Sequence, residues 1–196
     1  MKIIGLTGSV GMGKSVAASL LRRLRIPVHD SDAAIHEMLS PRGEAFTLVA
    51  RMFPAAWDLK KHVIDRRKLG EIVFNDPEAR RKLEAVLHPY VWARQRKFIL
   101  KARRLGLKQV VLDIPLLYET GSDRKCDAVV VVTAPHLIQR QRVLRRANMS
   151  EQKFHAILAL QLPDLEKRRR ADYVVQSGLG RAFTLQRLKA FLRSLR

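Results

Sequence analysis

One cysteine, Cys126, is all that this chain of 196 residues contains, so it forms no internal disulfide and no thiolate metal cluster. Cys126 flanks an apolar strand pattern, where simple packing is its expected role. No apolar run approaches the ~20 residues needed to cross a bilayer, so no membrane partner is expected. Met1-Lys2-Ile3-Ile4 runs directly into a strand pattern and leaves no room for a basic, apolar leader, which makes the cytoplasm the expected location. Repeats, long linkers, zinc-finger spacing and a recognisable RNA-binding module are all missing. Acids are scarce as well: 18 Asp and Glu stand against 38 Lys and Arg, a formal charge of +20. Such a field favours polyanions near the surface. The basic residues are also spread as pairs and triples along helical patterns, as on a solvated face.

What is present is enough apolar material, 47% of residues, for one sizeable core. The length fits a single domain, 1–196, carrying insertions better than it fits two independent domains. The informative stretch is Gly8-Ser9-Val10-Gly11-Met12-Gly13-Lys14-Ser15, which fits the phosphate-cradle pattern of glycines before Lys-Ser. Lys2 to Thr7 before it reads as an apolar strand, and Val16 to Leu24 after it reads as a helix with a buried stripe. Glycines let a loop turn successive backbone N–H groups inward, and the helix start adds further donors and a positive dipole end. Lys14 can then reach the β- and γ-phosphates of a nucleoside triphosphate, while the Ser15 hydroxyl can join the shell of a magnesium ion.

Further along, Ile26 to His29 reads as a short strand ending at Asp30-Ser31-Asp32, where a helix begins. One of these acids can cap the helix while the other points at substrate as a base for an attacking hydroxyl; Asp32 is favoured for the second role. The stretch from Asp65 to Leu105 is largely helical, with Asn75-Asp76-Pro77 as a start signal and His88-Pro89 predicting two helices or a kink. Tyr90, Trp92 and Phe98 could line a groove, though aromatics on a helix usually pack into a core. Gln109–Asp113 and Ala128–Thr133 read as buried parallel strands, and Asp113 stands where it could orient a magnesium-bound water. Pro135 and His136 open a helical stretch in which Arg142 and Arg146, four apart, would share a face suited to phosphate. Ser150 opens another helix, with Leu158 and Leu162 on its apolar side. Ala171 to Val175 is the last of five candidate parallel strands, and Gln176 to Gly180 is a turn near the nucleotide pocket, before a final helix with an apolar stripe.

Together the loop ending Gly13-Lys14-Ser15, Asp30-Ser31-Asp32, Arg66, His88-Pro89, Asp113-Ile114-Pro115-Leu116-Leu117-Tyr118-Glu119, Gln139 with Arg142 and Arg146, Gln161 and Ala171-Asp172 form a family-specific combination. Across nearly its whole length the chain resembles the dephospho-coenzyme A kinases of the P-loop kinase superfamily. That resemblance implies an α/β P-loop NTPase fold: a five-stranded parallel sheet in the order 2-3-1-4-5, helices on both faces, a helical coenzyme-binding region over about 60–107 and a lid over about 138–165. It implies transfer of the ATP γ-phosphoryl group to the ribose 3′-hydroxyl of dephospho-coenzyme A, with Mg²⁺ as cofactor. Carried over by motif, Asp32, Lys14 and Arg142 are the catalytic residues. Gly8 to Ser15, Arg142, Arg146 and Ser177 serve ATP, while Asp32, Arg66, His88, Leu116 and Gln161 serve the coenzyme. Ser15 holds the metal, with Asp113 acting through water. The chain departs from the family at Ala147, where Asp is common, and at Ser177, where Asn is common.

The competing readings are another small-molecule or nucleoside monophosphate kinase on the same core, and an ATP-dependent nucleic-acid-binding protein suggested by the charge. No specific nucleic-acid partner is expected, and the expected state is a monomer or weak oligomer.

Overall fold

The computed structural model describes residues 1–195. They fall into two compact units, one made of Met1–His29 together with the chain from Ala102 onward, the other of Asp30–Lys101.

The first unit is built on parallel strands β1 (Lys2–Thr7), β2 (Val28–Asp30), β5 (Gln109–Asp113), β6 (Ala128–Thr133) and β7 (Tyr173–Gln176), in the spatial order β2-β5-β1-β6-β7. Numbered among themselves, these strands run 2-3-1-4-5. All six residues of β6 are buried, as expected for a valine run covered on both faces. β1 lies between β5, with Leu6 opposite Asp113, and β6, with Thr7 opposite Val131. Two carboxylates tie strand starts together: Asp127 accepts from the Ile3 N–H at 2.6 Å, and Asp172 from the Val129 N–H at 2.7 Å.

Helix α1 (Lys14–Arg23) buries Ala17, Ala18, Leu20 and Leu21 against Ile4, Leu6, Val130 and Val175. Helix α9 (Arg181–Ser194) adds Leu188, Phe191 and Leu192 to the same core. Each large apolar side chain so buried contributes roughly 1.5–3 kcal/mol. α1 ends in a Schellman turn: Ile26 N–H donates to Leu21 O at 3.1 Å and Arg25 N–H to Arg22 O at 2.9 Å, with Arg25 left-handed at φ 60°. Three helices lie between β6 and β7: α6 (His136–Leu144), α7 (Glu151–Ala159) and α8 (Asp164–Arg170). Ser150 caps α7 through the Lys153 N–H, as expected, but the helix stops at Ala159, so Leu162 falls in the turn beyond it.

The second unit contains α2 (Ser31–Met38), α3 (Phe46–Met52), a two-stranded hairpin of β3 (Trp57–Asp58) and β4 (Val63–Ile64), α4 (Arg66–Asn75) and α5 (Pro77–Arg104), whose last residues from Ala102 belong with the first unit. Its core gathers Met38, Val49, Phe53, Ile64, Leu69, Leu87 and Val91. Asp30, Asp65 and Asp76 cap α2, α4 and α5 in turn. The Lys68 and Arg67 backbone N–H groups hold the Asp65 carboxyl below the usual carboxylate range. Arg94 of α5 forks onto Glu44 at 2.8 and 3.2 Å and reaches Glu37 at 2.6 Å. α5 runs through Pro89 as one helix rather than two. Pro89 cannot donate to the Ala85 carbonyl and crowds it, but this turn is exposed at Ala85 and the helix is held across it by the buried Leu87 and Val91. Among the described residues, no helix is long and apolar enough to cross a membrane.

Candidate active site

β1 delivers the chain into the glycine loop at the carboxyl end of the central strand, where an open parallel sheet presents its ligand site. Gly11 and Gly13 have φ of +76° and +89°, which L side chains rarely adopt. Space forbids a side chain there too. A Cβ on Gly11 would lie 2.5 Å from Val143 Cγ2, and one on Gly13 would lie 2.7 Å from Ser177 Oγ. Gly13 is also the N-cap of α1, and no side chain caps that helix. Its first N–H groups therefore form an anion cradle with the helix dipole behind them.

The loop is held from outside by side chains of the same unit. Val10 N–H donates to Gln161 Oε1 at 3.0 Å, and Gln139 Nε2 donates to Val10 O at 2.8 Å. The buried Ser177 hydroxyl donates to Met12 O at 2.6 Å and accepts from Arg142 Nη1 at 2.8 Å. Arg142 Nη2 also reaches Ser177 O at 3.0 Å. Lys14 Nζ lies 2.7 Å from Asp113 Oδ1, and the carboxylate side chain is only 3% exposed. A cation is thus aimed across the loop at the end of β5.

A family model described as dephospho-CoA kinase matches residues 2–180. The chain belongs to the dephospho-CoA kinase family. It is an ATP-dependent kinase that phosphorylates dephospho-CoA to coenzyme A. A curated dephospho-CoA kinase of Rhodospirillum rubrum is 48% identical over 195 residues, covering 99% of this chain and 92% of that one. A crystal structure of a Thermus thermophilus protein superposes with a TM-score of 0.83 at 38% identity, covering 100% of this chain and 98% of the other. The dephospho-CoA kinase from Campylobacter jejuni gives 0.72 at 25% identity, with 98% and 96% covered.

For this kinase the structure brings Gly8 to Ser15, Asp113, Arg142 and Ser177 together in one unit. It separates Arg146 from the helix face that spacing predicts. α6 ends at Leu144 with Arg145 as its cap, so Arg146 lies exposed in the following turn and shares no helix face with Arg142. Gln161, expected beside the coenzyme, has its amide oxygen on the Val10 N–H of the phosphate loop. Leu116 is half-buried after β5, and its carbonyl accepts from the Thr120 hydroxyl at 2.8 Å.

In the second unit the two acids of the Asp30-Ser31-Asp32 motif have different surroundings. Asp30 Oδ1 accepts from the Ala33 N–H at 3.0 Å as the cap of α2, and Asp32 stands exposed in that helix's first turn. Arg66 is exposed at the start of α4, and His88 stacks on Trp92 one turn along α5, with ring centres 5.8 Å apart. Tyr90 packs against the core of this unit.

Two features escape the sequence reading. Gln139 stands only as part of a family motif, although it lies three residues before Arg142 on one helix face and so could have been placed beside the loop. The fully buried Lys167, 2.8 Å from Glu119 Oε1, is concealed inside the run Lys167-Arg168-Arg169-Arg170, which looks like a solvated face.

Proposed function

We propose that this kinase moves the γ-phosphoryl group of ATP onto the ribose 3′-hydroxyl of dephospho-CoA, with Asp32 accepting the hydroxyl proton. The bond between γ-phosphorus and the bridging oxygen breaks as the bond to the 3′-oxygen forms, and ADP leaves. Phosphoryl transfer depends chiefly on positioning and on charge stabilisation. The loop N–H groups and Lys14 hold the phosphate chain, and the Arg142 fork supplies donors to the charge on the equatorial oxygens. The second acidic motif supports the base: Asp30 caps α2 through the Ala33 N–H, while the Asp32 carboxylate stands on the exposed first turn of that helix.

The residues present also fit Mg²⁺. Among the described residues no group of three or more His, Cys, Asp or Glu could hold a metal alone, as suits an ion ligated mostly by phosphates and water. Ser15 offers a hydroxyl at the first turn of α1, and the almost wholly buried Asp113 offers a hard carboxylate beside Lys14. When bound, the ion neutralises charge on the β- and γ-phosphates.

The single observation that carries this reading is the glycine loop itself, sterically closed at Gly11 and Gly13 and aiming Lys14 at Asp113. Its test is the position of the new phosphate. Proton–phosphorus correlation spectra of the product should couple the new phosphorus to the 3′-proton, and coupling to any other ribose proton would overturn the assignment. Excess chelator should abolish turnover and added Mg²⁺ restore it; undiminished turnover in chelator would remove the metal from the account.

A further inference from the structure

The phosphate loop is gripped at one residue by two glutamines, since both peptide groups of Val10 are taken, by Gln161 and by Gln139. Gln161 lies in the short turn between α7 and α8, and a turn positions a side chain only if its own backbone is fixed. The fixing group is Glu119. Its Oε1 accepts from the backbone N–H of Leu162, the residue next to Gln161, at 2.8 Å. The same oxygen lies 2.8 Å from Lys167 Nζ, whose side chain is 0% exposed. That contact is ionic rather than a well-aligned hydrogen bond. At the other end of the turn, Thr133 at the end of β6 donates to Asp164 Oδ2 at 2.8 Å, pinning the first residue of α8.

We propose that Glu119 is a positioning residue for the phosphate loop. Acting through Leu162 and Gln161, it sets the Val10 peptide, and the buried Lys167 ammonium fixes the Glu119 carboxylate.

An ammonium wholly removed from water is tolerated only beside an opposite charge, so Lys167 restricts where Glu119 can point. A carboxylate held in that way presents a fixed acceptor to the Leu162 N–H. The chain of contacts then runs from Glu119 in the turn after β5, through the 160–163 turn, to the loop. Gln161 thereby gives the loop an acceptor for the Val10 N–H.

Two jobs are combined in Glu119, neutralising Lys167 and accepting from Leu162, and paired variants separate them. In E119Q/K167M the buried charge is gone and the amide oxygen still accepts. In E119L/K167M the charge is gone and the acceptor with it. Native-state hydrogen exchange at the Val10 amide, read without nucleotide, is independent of the proposed chemistry. KM for ATP is the second readout and rests on the loop holding ATP as proposed above. E119L/K167M should exchange the Val10 amide about tenfold faster than E119Q/K167M and raise KM for ATP by a similar factor, with kcat changed less. Equal Val10 exchange in the two double variants would overturn the proposal. Faster exchange with unchanged KM would leave the positioning chain intact and count against the ATP role of the loop. Should E119L/K167M fail to fold, Gln161→Leu against Gln161→Glu poses the question at the next link. Leucine should free the Val10 amide and glutamate should retain it, and equal exchange would again overturn the proposal.

Discussion

Ser177→Ala deletes one oxygen, and the geometry gives that oxygen two partners, the Met12 carbonyl of the nucleotide loop and the Arg142 guanidinium of α6. Ser177 is 4% exposed, so neither lost bond is replaced by water. Its hydroxyl donates to Met12 O at 2.6 Å, a neutral bond whose loss removes about 1 kcal/mol. It also accepts from Arg142 Nη1 at 2.8 Å, and a bond to a charged donor contributes about 2 kcal/mol. Arg142 keeps its bond to the Ser177 backbone oxygen at 3.0 Å, so the guanidinium stays anchored while losing one prong. The sum is about 3 kcal/mol. In a domain of this size each kcal/mol moves the melting midpoint by roughly 2–4 °C, so calorimetry should record a fall of roughly 6–12 °C. The freed Met12 carbonyl lies beside Gly13, the N-cap of α1, so KM for ATP should rise about tenfold as the cradle loosens. A midpoint within roughly 2 °C of the parent would refute the reasoning, because it would mean that the hydroxyl couples nothing.

Lys14→Ala removes the ammonium 2.7 Å from Asp113 and should lower turnover by about 10³ or more, since electrostatic donors at a phosphoryl centre dominate the rate. Near-normal coenzyme A formation by folded protein would contradict its role. Asp32→Asn should cut kcat by about 10²–10⁴ while circular dichroism and melting stay close to the parent, because Asp30 remains as the α2 cap. Unchanged kcat would remove Asp32 as the base. Burial, with Asp123 and Asp127 nearby, pushes the Cys126 thiol up to about 12. Maleimide should therefore react far more slowly with the native protein at pH 8 than with the unfolded chain, and equal rates would show the thiol to be accessible. An acid whose folded pKa is raised stabilises the native state fully below its unfolded value, so this contribution is lost as pH climbs from the ordinary thiol range towards 12.

The sheet and the loop were readable because their signals are local. A valine run such as Ala128–Thr133 specifies a buried parallel strand wherever it lies, and Gly-Lys-Ser after a strand fixes the start of α1. The Asp30 and Asp76 caps were equally local, each accepting N–H groups two or three residues on. Signals that require three dimensions were lost. Two-residue strands such as Trp57–Asp58 and Val63–Ile64 are too short to show alternation. Pro89 suggests a break in a helix pattern, yet one missing hydrogen bond on an exposed turn does not end a helix that buries Leu87 and Val91. Arg146 obeyed the i, i+4 rule only on the assumption that α6 reached it. Lys167 became visible as a core residue only once Glu119, 48 positions earlier in the chain, was placed beside it.

The most direct measurement mixes purified protein and magnesium–ATP with and without dephospho-CoA, following ADP release and product mass together. The account predicts one ADP for each acceptor molecule that gains a single phosphoryl group, and little ADP without the acceptor. ADP formed at the same rate without acceptor, or an acceptor of unchanged mass, would contradict it.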